Sequence, residues 1–181
     1  SGDDGTVLDI SLTKNQSALQ RVLAQGASVE YFDHHDPGEL PEHPGLTTTI
    51  SEAPEVCTAL LVNGHLRGAR VEWAIVGAFG DNLDEPARRL ATKVGLPESE
   101  TTFLRHLGHR INYNGYGAEL EDLHFHPDAL YAELYRAETP AAFRHSQSYA
   151  TLSDGYAADL AASAALQPVE EGAGYALYQL P

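Results

Sequence analysis

The 181-residue sequence has no methionine, one cysteine (Cys57) and one tryptophan (Trp73), and it sets only 11 lysines and arginines against 26 aspartates and glutamates. A lone cysteine excludes an intramolecular disulfide and a thiolate zinc site, and it suits a reducing compartment. The shortage of cations excludes a broad nucleic-acid footprint, because affinity for a phosphate backbone comes largely from counterions released opposite Lys and Arg. Small or short anionic substrates stay compatible with a net charge of −15 where metal ions invert the local sign. Long apolar runs are missing too: the longest, near Ala74 to Phe79, falls far short of the roughly 20 residues of a spanning helix. No signal peptide opens the chain, so a cytoplasmic, non-membrane protein is expected. With no initiator, an opening Ser1-Gly2-Asp3-Asp4-Gly5 and an alternating tail that stops at Pro181, both ends are expected to be cuts in a longer protein.

What is present suits a folded chain: 43% of residues are hydrophobic and 20% charged, enough to close a core at a length within the roughly 100–200 residues of one domain. The β-branched and apolar run 6–10 predicts a strand. Leu19, Val22 and Leu23 repeat at helical spacing within 12–26, with Gly26 as a C-terminal stop. A second strand follows over 28–32, so the first part reads as strand, helix, strand, with the two strands parallel through a right-handed crossover. The threonine-rich 46–50 predicts another strand, and 54–66 a helix. The stretch 71–79 is a buried strand or a buried helix, since apolar density alone does not separate the two. From Asp84 onward the pattern is helical, over 85–94, 97–109, 127–136 and 148–166, the last with a stripe of Tyr149, Leu152, Tyr156, Leu160 and Ala164. The expected fold class is α/β, a parallel sheet flanked by helices with a helical second half.

This order has a chemical consequence. Asp9 falls near the carboxyl end of the first strand and Asp33 just after the second, and ligands of open parallel sheets bind outside the carboxyl ends of the strands. If the two strands are neighbours, both carboxylates reach one crevice, together with His34 and His35. Asp81 follows the apolar stretch 71–79 and brings a third carboxylate at an element's end. Imidazole and carboxylate together suit Mn, Fe, Co or Zn, whereas Mg favours oxygen alone.

The run Tyr31-Phe32-Asp33-His34-His35, the strand before it with Asp9, and Gly80-Asp81-Asn82 after it resemble the DHH phosphoesterase superfamily, named for the Asp-His-His tripeptide. That superfamily includes RecJ-type exonucleases, phosphodiesterases of short oligonucleotides and cyclic dinucleotides, and manganese inorganic pyrophosphatases. The resemblance covers about residues 7–95 and rests on the order and spacing of the three motifs. It implies that Asp9 bridges two divalent metals, Mn²⁺ being the expected ion, with His34 and Asp81 as ligands of one of them. It also implies that His35 faces the substrate phosphate as an electrostatic or general-acid group, and that Asp33 orients a histidine. The implied reaction is in-line attack of activated water on phosphorus, with phosphodiester or phosphoanhydride bonds of a nucleotide-like or short-oligonucleotide substrate as targets.

The chain departs from that family in two ways. Only eight residues precede Asp9, leaving no room for the family's first acidic motif, and Asp3-Asp4-Gly5 reads as a loop at the wrong end of the strand. The glycine-rich second domain is missing as well. The expected organisation is therefore a partial catalytic domain over 1–147, a linking helix over 148–173 and the start of a second domain over 174–181, with one weakened metal position and impaired activity. The alternatives are a non-catalytic scaffold or binding module of the same fold and a metal-free carrier domain; the retention of Asp9, His34, His35 and Asp81 favours the enzyme. Among other candidates, His106 and His109 read as solvated helix residues, His43, His124 and His126 as loop or surface residues, and Cys57 and Trp73 as core. The string 111–117, rich in Asn, Tyr and Gly, is either a nucleotide-holding turn or a helix-ending turn with its tyrosines packed on the core.

Overall fold

A computed structural model describes residues 2–179; Ser1, Leu180 and Pro181, parts of the two chain ends considered above, lie outside the described residues. Strand β1 (Asp4–Leu8) leads into helix α1 (Leu12–Ala24), which returns the chain to strand β2 (Ser28–Asp33), and strand β3 (Leu46–Ile50) follows. The three strands form one parallel sheet in the order β1-β2-β3. β1 starts two residues earlier than the apolar run suggests, because pairing extends to Asp4 opposite Ser28 and the Ser28 amide donates to the Asp3 carbonyl at 2.9 Å. Asp4 and Gly5 are thus strand residues rather than a loop.

Alternation along β2 sends its side chains to two cores. Val29 and Tyr31 face α1, where Leu12, Leu19 and Leu23 form the buried stripe, with Val7, Leu46 and Ile50 around them. Each fully buried side chain of this size contributes about 1.5–3 kcal/mol. The Tyr31 hydroxyl donates to the Ile10 carbonyl at 2.5 Å and fixes the turn that follows β1. Gly26, at φ 87°, ends α1 in the left-handed region where a glycine carries no steric penalty. On the other side of the sheet, Phe32 meets the His65 ring edge-on at 5.1 Å.

The remaining helices are α2 (Thr58–His65), α3 (Val71–Gly80), α4 (Asp84–Lys93), α5 (Glu98–Tyr113), α6 (Pro127–Ala137), α7 (Pro140–Phe143) and α8 (Gln147–Ala165), followed by a hairpin of β4 (Glu170–Gly172) and β5 (Tyr175–Leu177). Among the described residues the architecture is mixed α/β with a three-stranded parallel sheet and eight α-helices. The stretch that periodicity left open is the helix α3, which buries Ala74, Ile75, Val76, Ala78 and Phe79 and so shows no polar face. Small residues seat it: a Cβ on Gly77 would meet the Ala59 Cβ at 2.6 Å, and one on Gly108 would meet the Val76 carbonyl oxygen at 2.4 Å and the Gly80 nitrogen at 2.8 Å. α2 begins at Thr58, later than expected, because the chain over 51–57 turns before entering the helix.

The chain divides into two compact units, Ser1–His109 and Arg110–Pro181. The second is helical with the terminal hairpin. Within it, Asn114 is buried and exchanges hydrogen bonds with the Phe125 backbone at 2.9 and 3.0 Å. Tyr113 donates to Asp159 at 2.6 Å, lies 3.0 Å from His124 Nε2 and packs edge-on against Tyr156. Burial, then the Asp159 carboxylate, push the Tyr113 hydroxyl up to about 12. The 111–117 string is therefore a helix-ending turn, with Tyr116 exposed at its tip. Serine and threonine caps start the later helices, Thr139 for α7 and Ser146 for α8, and His126 caps α6. The α8 stripe is buried at Leu152 but exposed at Leu160, and the expected linking segment 148–173 holds α8 and then β4 rather than one continuous helix. Among the described residues no helix is long and apolar enough to cross a membrane.

Gly108→Ala is expected to cost about 1–3 kcal/mol through overpacking against α3, whereas Gly64→Ala, with open space around its Cβ, is expected to gain about 0.4–1 kcal/mol by restricting the unfolded chain; urea denaturation of the two variants checks both signs.

Candidate metal centre

The carboxyl ends of β1 and β2 lie side by side, and this places Asp9 next to the Asp33-His34-His35 run. Asp9 is the first residue beyond β1 and sits at φ 60°, a left-handed conformation that Asp tolerates better than most residues. Its amide donates to the Phe32 carbonyl at 3.0 Å, continuing the β1–β2 ladder by one bond and holding that turn against its neighbour. The Asp9 carboxylate is left facing outward and accepts a hydrogen bond from the Thr58 hydroxyl at 2.7 Å.

Asp33 ends β2 with its side chain fully buried. Its Oδ1 accepts from the His34 amide at 2.8 Å, the His35 amide at 3.3 Å and the His35 ring Nδ1 at 2.6 Å. Three donors on one oxygen compensate for removing the carboxylate from water, while Oδ2 is buried without a partner. Because a carboxylate only accepts, His35 Nδ1 carries the proton and its Nε2 is the nitrogen with a lone pair. His34 is fixed in the same tautomer by a different group: its Nδ1 lies 3.2 Å from the Val56 carbonyl, which also only accepts. His34 Nε2 is then free to ligate, and it points at Asp9 Oδ1, 3.4 Å away. Carbonyl and carboxylate partners of this kind are what usually orient a ligating histidine.

Asp9, His34 and His35 each bring one ligand atom into a set mutually within 4.8 Å, the one such group of three among the described residues. Asp81, which follows α3, approaches from the other side, its Oδ2 3.9 Å from His34 Nδ1. Of the residues the sequence singled out, Asp9, His34 and His35 thus share one cluster, Asp81 borders it, and Asp33 lies beneath it as the group that orients His35. Burial raises the Asp81 carboxyl above the ordinary carboxylate range and the Asp9 charge raises it further, against the opposing pull of His34 and His35. Cys57 is buried just before α2, where burial, with added repulsion from Asp81 and Asp9, pushes its thiol up.

Comparison with protein-family models, with curated proteins and with solved structures finds no match for this chain. The residues themselves carry the chemistry: two imidazoles of fixed tautomer and the exposed Asp9 carboxylate, with Asp81 at the border, form a donor set that fits a first-row divalent cation. Sequence reasoning missed two participants, the Thr58 hydroxyl and the Val56 carbonyl. Neither has a sequence signal, since the first contact joins residues 49 apart and the second uses backbone.

The remaining candidates do other work or lie elsewhere. His43 Nδ1 accepts from the Gly45 amide within its own loop, and His106 and His109 lie on α5.

Thr58→Val removes the hydroxyl that steadies Asp9 and is expected to weaken Mn²⁺ binding by about 10–100-fold, with the fold intact by circular dichroism; calorimetric titration reads the change. Asp81→Asn is expected to raise the melting temperature of the metal-free chain at neutral pH. A carboxyl raised on folding favours the protonated form, so its ionised state opposes folding at neutral pH, and the gain from Asn disappears as the pH falls below the ordinary carboxylate range. Thermal melts across pH check that sign.

Proposed function

We propose that this chain carries the metal site of a phosphoester hydrolase of the DHH type, acting on phosphodiester or phosphoanhydride bonds of a nucleotide-like or short-oligonucleotide substrate, with Mn²⁺ as its ion. The observation that carries this proposal is the facing pair of His34 Nε2 and Asp9 Oδ1, 3.4 Å apart, at the ends of adjacent parallel strands, with the other nitrogen of His34 held by a backbone carbonyl. Asp9 and His34 Nε2 would hold the ion with His35 beside it, and Asp81, which meets His34 on its Nδ1 side, would border the site. The mutual repulsion of Asp9 and Asp81 is a cost that a dication would remove.

When bound, a divalent ion supplies Lewis acidity toward a phosphoryl oxygen and toward water. The protein groups supply position. His35 is half exposed and lines an open cleft of about 630 Å³ with Asp9, Lys14, Asp36 and the first turn of α1. Anchored through Nδ1 to the buried Asp33, His35 would serve this cleft through Nε2, donating to a phosphate oxygen or a leaving oxygen only after that nitrogen has itself taken up a proton. Lys14 brings a positive charge to the same wall, in the helix turn where the partial charge of α1 is positive. Asp33 holds the ring's direction and tautomer.

Mn²⁺ titration by calorimetry tests the proposal, with one ion per chain expected, binding lost in Asp9→Ala, and stabilisation of about 2.7 kcal/mol at 100 times the dissociation constant. The metal-loaded chain is expected to cleave a chromogenic phosphodiester slowly but above the Asp9→Ala background. Mn²⁺ binding with no cleavage would instead point to a metal-binding module, and no binding at all to a metal-free α/β domain.

A further inference from the structure

Asp9 is a wall between two recesses. One is the cleft shared with His35 and α1; the other, of about 320 Å³, is also lined by Asp9 and lies between the end of β1 and the helices α2 and α3. Leu8, Val62, Leu66 and Trp73 supply most of its lining, with Thr58 beside Asp9 and with Asn63 and Arg70 as its other polar side chains. Leu8 and Leu66 are 48% and 42% exposed, so this apolar surface faces water. The volume lies at the lower end of the roughly 300–1,000 Å³ of small-molecule sites, the size of a nucleoside rather than of a polymer segment.

We propose that this second recess is a nucleobase subsite, in which the heteroaromatic ring of the substrate lies against the Trp73 indole while its phosphate reaches Asp9, His34 and His35 across the shared wall. This rests on the phosphoester reading above and narrows it: the substrate carries a base, and inorganic polyphosphates leave the recess empty. Three features select a base over an alkyl chain. An indole and branched aliphatic side chains form the flat, sequence-tolerant platform on which any base stacks. The Asn63 amide oxygen is buried without a hydrogen-bond partner; an exocyclic amine would supply the missing donor after a small side-chain movement, and a hydrocarbon would not. Arg70 at the same recess adds a planar cation that stacks on rings.

The test uses adenosine, an uncharged probe that needs neither the metal nor catalysis, with ribose as the base-free control. Trp73 is the single tryptophan of the chain, so its fluorescence reports on this recess alone. Adenosine is expected to change that fluorescence saturably and ribose to leave it unaltered. By calorimetry, Trp73→Ala is expected to lower adenosine affinity roughly 5- to 150-fold, and Trp73→Phe, which keeps a ring and guards against loss of fold, to recover most of it. Leu66→Glu, at an exposed position on the wall, is expected to weaken adenosine as well. A fluorescence response no greater for adenosine than for ribose, or adenosine affinity unaltered in Trp73→Ala, overturns the subsite. The two proposals fail separately: adenosine binding by a chain that cleaves no dinucleotide in Mn²⁺ removes the hydrolase and keeps the recess, whereas equal cleavage of dinucleotide and abasic diester without an adenosine response removes the recess alone.

Discussion

The candidate centre depends on one buried carboxylate. Asp33 has no exposed surface, and a charge so placed must collect donors or be neutralised. It collects them from the two residues that follow it, through both of their amides and one ring nitrogen. That arrangement turns the chain sharply at the end of β2 and leaves His34 and His35 projecting from consecutive positions, their rings 4.7 Å apart and steeply inclined. A side chain without an acceptor oxygen at position 33 would leave the His35 ring without its anchor and the turn without its shared acceptor.

Around that turn the parallel sheet supplies proximity. Parallel strands end on the same side, so Asp9 after β1 and Asp33 at the end of β2 become neighbours without any direct attraction between them. Helix α3 then delivers Asp81 from the other direction, and its position is set by the close approach of the Ala59 Cβ at Gly77 and of α3 backbone at Gly108. Asp9 and Asn82 both sit near φ 60°, one beside each of the two elements that present a carboxylate. The left-handed turns redirect the chain at the point where it must expose its acid and move on.

Electrostatics separates the acidity of this crevice from that of the rest of the molecule. Most of the 26 acidic side chains lie outside this crevice. The carboxylates near His34 repel one another, and the raised Asp81 carboxyl registers that strain together with its burial. A bound cation would relieve the repulsion, with the His34 and His35 rings, oriented by the Val56 carbonyl and the Asp33 carboxylate, beside it.

Much of this was legible from sequence. The alternation of apolar residues and the strand-helix-strand order of 6–32 set Asp9 and Asp33 at the ends of two parallel strands, and Asp33-His34-His35 announced itself by adjacency. The boundaries of α4, α6 and α8 followed from helical spacing and end signals, because those features are local. What the tertiary structure decided is what no local pattern encodes. Apolar density could not say that 71–80 is a helix, since a helix buried on all sides has no polar stripe; Gly77 and Gly108 become meaningful only once Ala59 and Val76 are found against them. The Thr58 hydroxyl on Asp9 and the Val56 carbonyl on His34 join segments tens of residues apart, and only packing brings them together. Residue types fixed which atoms could ligate; the fold decided which nitrogen of each histidine keeps its lone pair, because that depends on the acceptor the other nitrogen meets.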